Sequence, residues 1–227
     1  MSWHDLLFMH WPVKVEQLHS LIPSSLEVDT FDGEAWIGVV PFRMTRVKPY
    51  RFPSIPRCSA FPELNVRTYV TIGGKPGLWF FSLDAANPFA VAVARRLFHL
   101  PYFNATMSLR DDGKVISYQS TRTHRRAAPA AFEARYAPTG EVYHSTPGTL
   151  EFWFTERYCL YSADRRTRVW KADIHHARWP LQPASSEVVV NTMTDPLKVK
   201  LPVLSPVLHF ARSLEVIAWK PELVATN

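Results

Sequence analysis

The chain has 227 residues, of which 47% are hydrophobic and 20% are charged, so it can bury a sizeable core and is not globally disordered. Nineteen prolines against eight glycines exclude a helical bundle or a coiled coil, because proline disrupts the interior of a helix. The net charge of +6 includes arginine pairs that are scattered along the chain, a pattern typical of a solvated basic surface rather than of a dedicated nucleic-acid binder.

The first sixty residues predict strands, one short helix and a long irregular segment. An apolar run over 6–11 predicts a buried strand that ends at the following proline, and the apolar spacing over 15–22 predicts an amphipathic helix. Two strands are expected within 27–40, around an Asp-Gly turn. The segment 41–62 is rich in proline and basic residues, and we expect residues 45–60 to form a rim or lid over a binding site.

The most informative segment is the strand predicted over 64–72. Side chains alternate between the two faces of a strand, so one face here is mostly apolar and the other carries long polar groups. The polar face consists of Glu63, Asn65, Arg67 and Tyr69. Inside a barrel this face would bind a small molecule, and the Arg67 guanidinium suits a carboxylate. A purely structural role for this face is an equal alternative to binding. In that case Glu63 and Arg67 would form an internal ion pair, or the face would be solvated.

The rest of the chain predicts a mainly antiparallel β structure with a few short helices. Asn87 followed by proline is a typical helix start, and this helix is expected to end before Pro101. An Asp-Asp-Gly-Lys turn at 111–114 predicts a hairpin. These elements indicate one domain over 1–227 of the α+β or barrel class. Further strands are expected over 78–84, 104–110, 115–121, 131–136, 157–161, 169–176 and 214–219, with a short helix over 150–155.

Several runs of the sequence carry a specific resemblance. They include LLFMHWP at 6–12, WIGVVPFRM at 36–44, FPELNVRTYV at 61–70 and GLWFFSLDA at 77–85. On these runs the chain resembles the YqjF-like family of bacterial proteins over nearly its whole length, and that family has no established reaction. The family is in turn similar, more distantly, to the acetoacetate decarboxylase superfamily. That resemblance implies a curved antiparallel sheet closed into a cone-like barrel around a ligand cavity.

The same resemblance reveals one difference that decides the chemistry. The decarboxylases carry a Gly-Arg-Glu segment that leads to a Pro-Lys-Lys motif, whereas here an Ala-Arg-Arg segment at 94–96 leads to a Pro-Tyr-Phe segment at 101–103. Tyr102 and Phe103 therefore stand where those enzymes keep two lysines, while Glu63 matches a glutamate that they use. Because Tyr102 cannot form an imine, we predict no amine-dependent decarboxylase activity.

Three functions remain as hypotheses. The first is a barrel that binds an apolar or carboxylate-bearing metabolite. The second is an enzyme in which Glu63 acts as a general acid or base, if burial raises its pKa, and Tyr102 donates a proton to a carbonyl oxygen. The third is a weak nucleic-acid or protein-interaction module, for which Tyr158 among arginines is the strongest local signal. The ligand-binding residues expected for the first are Glu63, Asn65, Arg67, Tyr69 and Tyr102.

No pattern in the sequence predicts a metal or another cofactor. Adjacent His175 and His176 would point to opposite faces of a strand, and Cys58 and Cys159 have no metal or redox spacing. The cysteines are expected as free thiols of a reducing compartment, with a single disulfide left open. Because the sequence has neither a signal peptide nor an apolar stretch of about 20 residues, we expect a cytoplasmic protein without a membrane partner. The oligomeric state is left open.

Overall fold

The computed structural model describes residues 1–47 and 59–224. Within these residues lie thirteen strands and three α-helices. The strands are β1 (Ser2–Val13), β2 (Glu27–Val28), β3 (Ala35–Thr45), β4 (Phe61–Ile72), β5 (Lys75–Ala85), β6 (Tyr102–Asp111), β7 (Ile116–Arg122), β8 (Ala131–Pro138), β9 (Cys159–Ala163), β10 (Val169–His176), β11 (Leu181–Asn191), β12 (Val207–Ala218) and β13 (Glu222–Leu223). The helices are α1 (Val15–His19), α2 (Pro88–Leu97) and α3 (Leu150–Thr155), and a 3-10 turn spans Asp195–Leu197.

All these strands belong to one sheet that closes on itself. Its order is β13-β10-β9-β5-β6-β7-β8-β11-β12-β1-β3-β4-β2. A further pairing of β4 with β5 completes a ring of nine strands: β5, β6, β7, β8, β11, β12, β1, β3 and β4. The pairing of β10 with β12 closes a second circuit through β9. Neighbouring strands are antiparallel except where β5 meets β6 and β9. This mainly β architecture with short helices confirms the predicted fold class.

Five strands belong to both circuits and form a wall between them: β5, β12, β1, β3 and β4. Its strands β1, β3 and β4 are buried on both faces over most of their length. Leu6 and Phe8 of β1 pack into one hydrophobic cluster, hereafter the first core, while the alternating Leu7 and Met9 pack into a second core. Because both faces of β1, β3 and β4 are covered over most of their length, the polar side chains that are buried in these strands must find their partners inside the protein.

Two strands are longer than the sequence indicates, because prolines are accommodated at gaps in the pairing. β1 continues through Pro12, which pairs with Trp36 of β3 but lies beyond the end of the pairing between β1 and β12. β3 continues through Pro41, which lies where the register between β1 and β3 is interrupted. A proline is tolerated where its missing N–H is not needed by a neighbouring strand.

The expected irregular segment 41–62 is therefore shorter than predicted, since β3 reaches Thr45 and β4 begins at Phe61. The expected rim over 45–60 lies largely outside the described residues, which omit 48–58.

The helix predicted after Asn87 is confirmed, and its start has the expected cap. The Asn87 side chain accepts a hydrogen bond from the backbone N–H of Ala90 at 3.1 Å. β11 was not predicted from the sequence, because the fully buried Leu181 is followed by residues that are mostly exposed or partly exposed. β12 begins at Val207, earlier than the predicted start at 214.

Gly77 marks the close approach of β5 to β9. A Cβ atom at this position would lie 2.8 Å from the backbone oxygen of Cys159 and 2.6 Å from Cε2 of Tyr161. Gly77→Ala is therefore expected to lower the free energy of unfolding by about 1–3 kcal/mol. Urea denaturation followed by circular dichroism measures this. Ser117→Ala, on the exposed face of β7, should stay within about 0.5 kcal/mol of the parent, and equal stability of the Gly77 variant would contradict the close packing.

Candidate functional site

β4 places the predicted polar residues Glu63, Asn65, Arg67 and Tyr69 on one face, and that face is turned into the protein. Each of the four residues is at most 5% exposed, and Tyr69 is a member of the first core. The apolar residues Leu64 and Val66 of the same strand lie in the second core. The solvated-face alternative is therefore wrong, because β4 is covered on both sides.

Glu63 and Tyr102, the two candidate catalytic residues, are in direct contact. The Tyr102 hydroxyl donates a hydrogen bond to Oε2 of Glu63 at 2.8 Å, and both side chains are buried. Tyr102 begins β6 beside Leu83 of β5, and Arg95 of α2 donates a hydrogen bond from Nη1 to its carbonyl oxygen at 2.5 Å. Arg95 thus holds the backbone at Tyr102, the position for which the resemblance predicts a change from lysine.

The alternative of an internal ion pair between Glu63 and Arg67 is also wrong for the described structure. No ion pair joins them there, and four residues along a strand separate their backbones by about 13 Å. The polar face therefore has two ends, a carboxyl end at Glu63 and a guanidinium end at Arg67.

At the carboxyl end, burial shifts the proton equilibria of both groups. Desolvation, partly offset by the hydrogen bond from Tyr102, raises the pKa of Glu63 to about 8. Burial and the neighbouring Glu63 carboxyl raise the pKa of Tyr102 well above its ordinary value of 10. Glu63 can therefore give up or accept a proton near neutral pH, which is the range in which general acid–base catalysis is most effective.

At the guanidinium end, Arg67 is a buried cation without a carboxylate partner in residues 1–47 and 59–224. Its Cζ atom lies 5.4 Å from the ring centre of Phe8 and 5.9 Å from that of Tyr69. The Nε atom has no hydrogen-bond partner. The segment 48–58, outside the description, contains no aspartate or glutamate. Aromatic faces therefore surround this charge without neutralising it.

His10 completes the guanidinium end, a role that the sequence analysis did not give it. Its Nε2 shares a hydrogen bond of 2.7 Å with the Tyr69 hydroxyl, and its ring stacks on Phe154 of α3 at 3.8 Å. Burial, followed by the charge of Arg67, lowers the pKa of His10 well below 6.5 and keeps the ring neutral. Gly38 of β3 pairs with both His10 and Arg67, and a Cβ there would lie 2.9 Å from the imidazole.

Several buried polar atoms on the wall's first-core face lack a hydrogen-bond partner. Since buried polar groups are nearly always paired, such atoms mark a place for water molecules or a ligand. The sequence signal for His10 was only its position on the same face of β1 as Leu6 and Phe8, because its other neighbours come from other strands. The unpartnered atoms are Nδ1 of His10, Nε1 of Trp36, Oδ1 of Asn65 and Nε of Arg67.

Two pockets formed by described residues lie away from this face. One of about 250 Å³ is lined by Lys171, Asp173, Trp219, Lys220 and Glu222. The other, of about 200 Å³, is lined by Phe81, Ser82, Phe103, Arg122, Ala128, Met193, Pro196 and Leu197. Neither is lined by any of the five predicted ligand-binding residues, whose binding role stays a prediction.

Other candidate positions take the following places. His175 is exposed and His176 is buried, as expected for adjacent residues of a strand. Cys159 is a buried free thiol, and Cys58 lies outside the described residues. Arg157, in the basic neighbourhood of Tyr158, is itself buried and pairs with Asp29 at 2.5 Å, so it is not available at the surface.

Residues 1–47 and 59–224 lack two features, a metal-binding cluster and a membrane-spanning helix. They contain no group of three or more histidine, cysteine, aspartate or glutamate side chains arranged to hold a metal ion. None of their helices has the length and hydropathy to cross a membrane.

Comparison with solved structures identifies the class of fold. An acetoacetate decarboxylase-like enzyme from Sphingomonas wittichii RW1 superposes with a TM-score of 0.62 at 13% identity, covering 100% of this chain and 93% of that one. The enduracididine biosynthesis enzyme MppR complexed with pyruvate superposes with a TM-score of 0.66 at 11% identity, covering 98% and 90%. The chain thus has an acetoacetate decarboxylase-like fold.

Comparison of sequences is more specific. The model of the DUF2071 family, "Uncharacterized conserved protein", matches residues 1–215. The uncharacterized protein YqjF of Bacillus subtilis (strain 168) is 47% identical over 218 residues, which cover 96% of this chain and 89% of that protein. The chain belongs to the DUF2071 family, and the predicted resemblance to YqjF-like proteins is confirmed.

The raised pKa of Glu63 predicts a pH-dependent stability. Because the folded chain holds this proton more tightly than the unfolded chain, the resulting stabilisation is complete below pH 4.5 and is lost as the pH rises through about 8. Relative to Glu63→Gln, the parent should lose about 3–5 kcal/mol over this range in urea denaturation. Glu187→Gln, on the surface, should leave the parent's profile unchanged, and parallel profiles for the parent and the Glu63 variant would contradict the shift.

Proposed function

We propose that the protein binds a small carboxylate-bearing metabolite in its interior, on the face of the wall that meets the first core, with the carboxylate at Arg67. The observation that carries this proposal is a buried guanidinium without a carboxylate partner. Removing one cation from water costs several kcal/mol unless an opposite charge compensates it. A planar carboxylate suits the guanidinium in shape and charge, and it would also satisfy the unpartnered Nε atom.

The groups around Arg67 support a ligand with a carboxylate at one end and a less polar remainder. Neutral polar atoms of His10 and Asn65 are free to orient it, while the rings of Phe8 and Phe154 offer apolar contact. MppR, which shares the fold, has been solved in complex with pyruvate, a small carboxylate of this class. Opening of the interior is needed for entry, because the polar face is closed to solvent.

Replacement of Arg67 tests this proposal. A thermal-shift screen of 2-oxo acids, fatty acids and aromatic acids, followed by calorimetry on the best hit, should give a carboxylate that binds more tightly than its amide. Arg67→Met should weaken that binding about ten- to a hundredfold, the loss expected for a charge-assisted hydrogen bond.

The matched control is Arg110→Met, at an exposed position of β6, which should bind the carboxylate like the parent. A screen without any carboxylate hit, or equal affinity of the Arg67 variant, would contradict the proposal.

The Glu63–Tyr102 contact favours a second candidate function, proton transfer next to a carbonyl group. With its carboxylate at Arg67, a ligand long enough to extend along β4 would bring its carbonyl group towards Glu63. Glu63 in its ionised form would take a proton from the carbon beside the carbonyl. The Tyr102 hydroxyl, which donates to Glu63 in the structure, would turn to donate its one hydrogen bond to the oxygen that gains charge. The pKa of about 8 for Glu63 suits this exchange near neutral pH.

Hydrogen–deuterium exchange at carbon measures this activity. In deuterium oxide, the protein should accelerate loss of the C6 and C8 proton signals of 7-oxooctanoate, whose carbonyl group is six bonds away from its carboxylate carbon, in NMR spectra. The rate should rise as the pH passes through about 8, because the ionised carboxyl is the base. Glu63→Gln should abolish exchange while leaving ligand affinity within about twofold, and exchange at the parental rate in this variant would remove the candidate.

A Schiff-base mechanism is not part of the proposal. Tyr102 and Phe103 stand at the positions that match the decarboxylase lysines, and every lysine of the described residues is exposed or partly exposed. Lys75, for example, forms an ion pair with Asp173. An amine that attacks a carbonyl must be unprotonated, which a solvated lysine at neutral pH is not.

A further inference from the structure

The smaller of the two surface pockets lies on the opposite side of β5 from the polar face. Three adjacent strands contribute to it: β5 with Phe81 and Ser82, β6 with Phe103 and β7 with Arg122. The segment after β11 closes it with Met193 and the 3-10 turn. Its volume of about 200 Å³ is below that of pockets for drug-sized ligands, so the largest occupant it can take is a small organic molecule.

Ser82 gives this pocket an unsatisfied polar group. The residue is 4% exposed, and its hydroxyl oxygen Oγ has no hydrogen-bond partner. A buried hydroxyl without a partner is destabilising, so its position in the lining of a pocket indicates that something else completes its hydrogen bonding.

The charge in the pocket is already neutralised, in contrast to that of Arg67. Arg122 donates from Nε and Nη2 to the two carboxylate oxygens of Asp84, each at 2.7 Å, and the two side chains are 3% and 0% exposed. This arrangement leaves the Nη1 group of Arg122 as a donor. It also means that an anionic ligand would lose its hydration near the Asp84 carboxylate without gaining a free counter-charge.

The remaining lining is apolar and partly rigid. Phe103 lies under the Arg122 guanidinium, with Cζ 4.2 Å from the ring centre. Phe81, Met193 and Leu197 supply further apolar surface at the edge of the second core. An uncharged apolar body would therefore fill most of the volume, and one acceptor oxygen would meet the free donors.

We propose that this pocket binds a small uncharged molecule that has an apolar body and a carbonyl oxygen, held by Ser82 Oγ and Arg122 Nη1. The pocket is separate from the site at Arg67, because Ser82 and Asp84 alternate along β5 with Leu83, which faces the first core. It recognises a neutral carbonyl compound, whereas the interior face recognises a carboxylate. The two proposals can therefore be tested independently, and failure of one does not contradict the other.

Acetophenone, ethylbenzene and benzoate form a matched set of probes. They share a phenyl ring and differ in carrying a neutral carbonyl group, no oxygen, or an anionic carboxylate. In titrations followed by amide chemical shifts in NMR spectra, acetophenone should shift the signals of Ser82 and Phe103 and should bind more tightly than either of the others. Ser82→Ala should weaken acetophenone binding about two- to tenfold, because it removes one hydrogen bond between neutral groups.

A second variant blocks the pocket without touching the core. Ala128 is an exposed lining residue, so Ala128→Phe should fold normally and abolish acetophenone binding at this site. Ala92→Phe, at an exposed position of α2, is the matched control and should bind like the parent. Failure of acetophenone to bind, tighter binding of benzoate, or unchanged binding in Ala128→Phe would each overturn the proposal.

Discussion

The structure depends on one constraint, the burial of both faces of β1, β3 and β4 in the strand wall that the two circuits share. In an ordinary antiparallel sheet one face meets water, and polar residues collect there. In this wall the alternation of β4 directs one set of side chains into the first core and the other into the second. The polar residues Glu63 and Arg67 are therefore carried into the interior by the geometry of the strand, and their altered chemistry follows from that burial.

The sequence was sufficient to predict the alternation of β4, the capped helix at Asn87 and the resemblance to the decarboxylase fold, because these features are local patterns or continuous motifs. It did not identify His10, whose role arises from the register that aligns it with Gly38 and Arg67 across three strands. It also missed β11, since a strand with few buried residues lacks an apolar pattern. The role of His10 and the formation of β11 both depend on pairing between segments that are distant in the sequence.

The two residues that the resemblance matches to the decarboxylase lysines have different environments. Tyr102 faces the first core and contacts Glu63, while Phe103 lines the pocket on the other side and lies under Arg122. The interior holds a buried carboxyl group with a raised pKa in contact with a phenol, an arrangement that suits the proposed proton transfer or binding.

The central claim is that Arg67 is an interior cation whose counter-charge comes from a ligand. The most direct measurement is a pair of crystal structures, from crystals of the protein grown with pyruvate and without it. The account predicts electron density for a carboxylate within hydrogen-bond distance of Arg67 Nε, displacing density of water or of a co-purified anion. An Arg67 side chain that pairs with a carboxylate of the protein itself, or that turns out to solvent in both crystals, would contradict it.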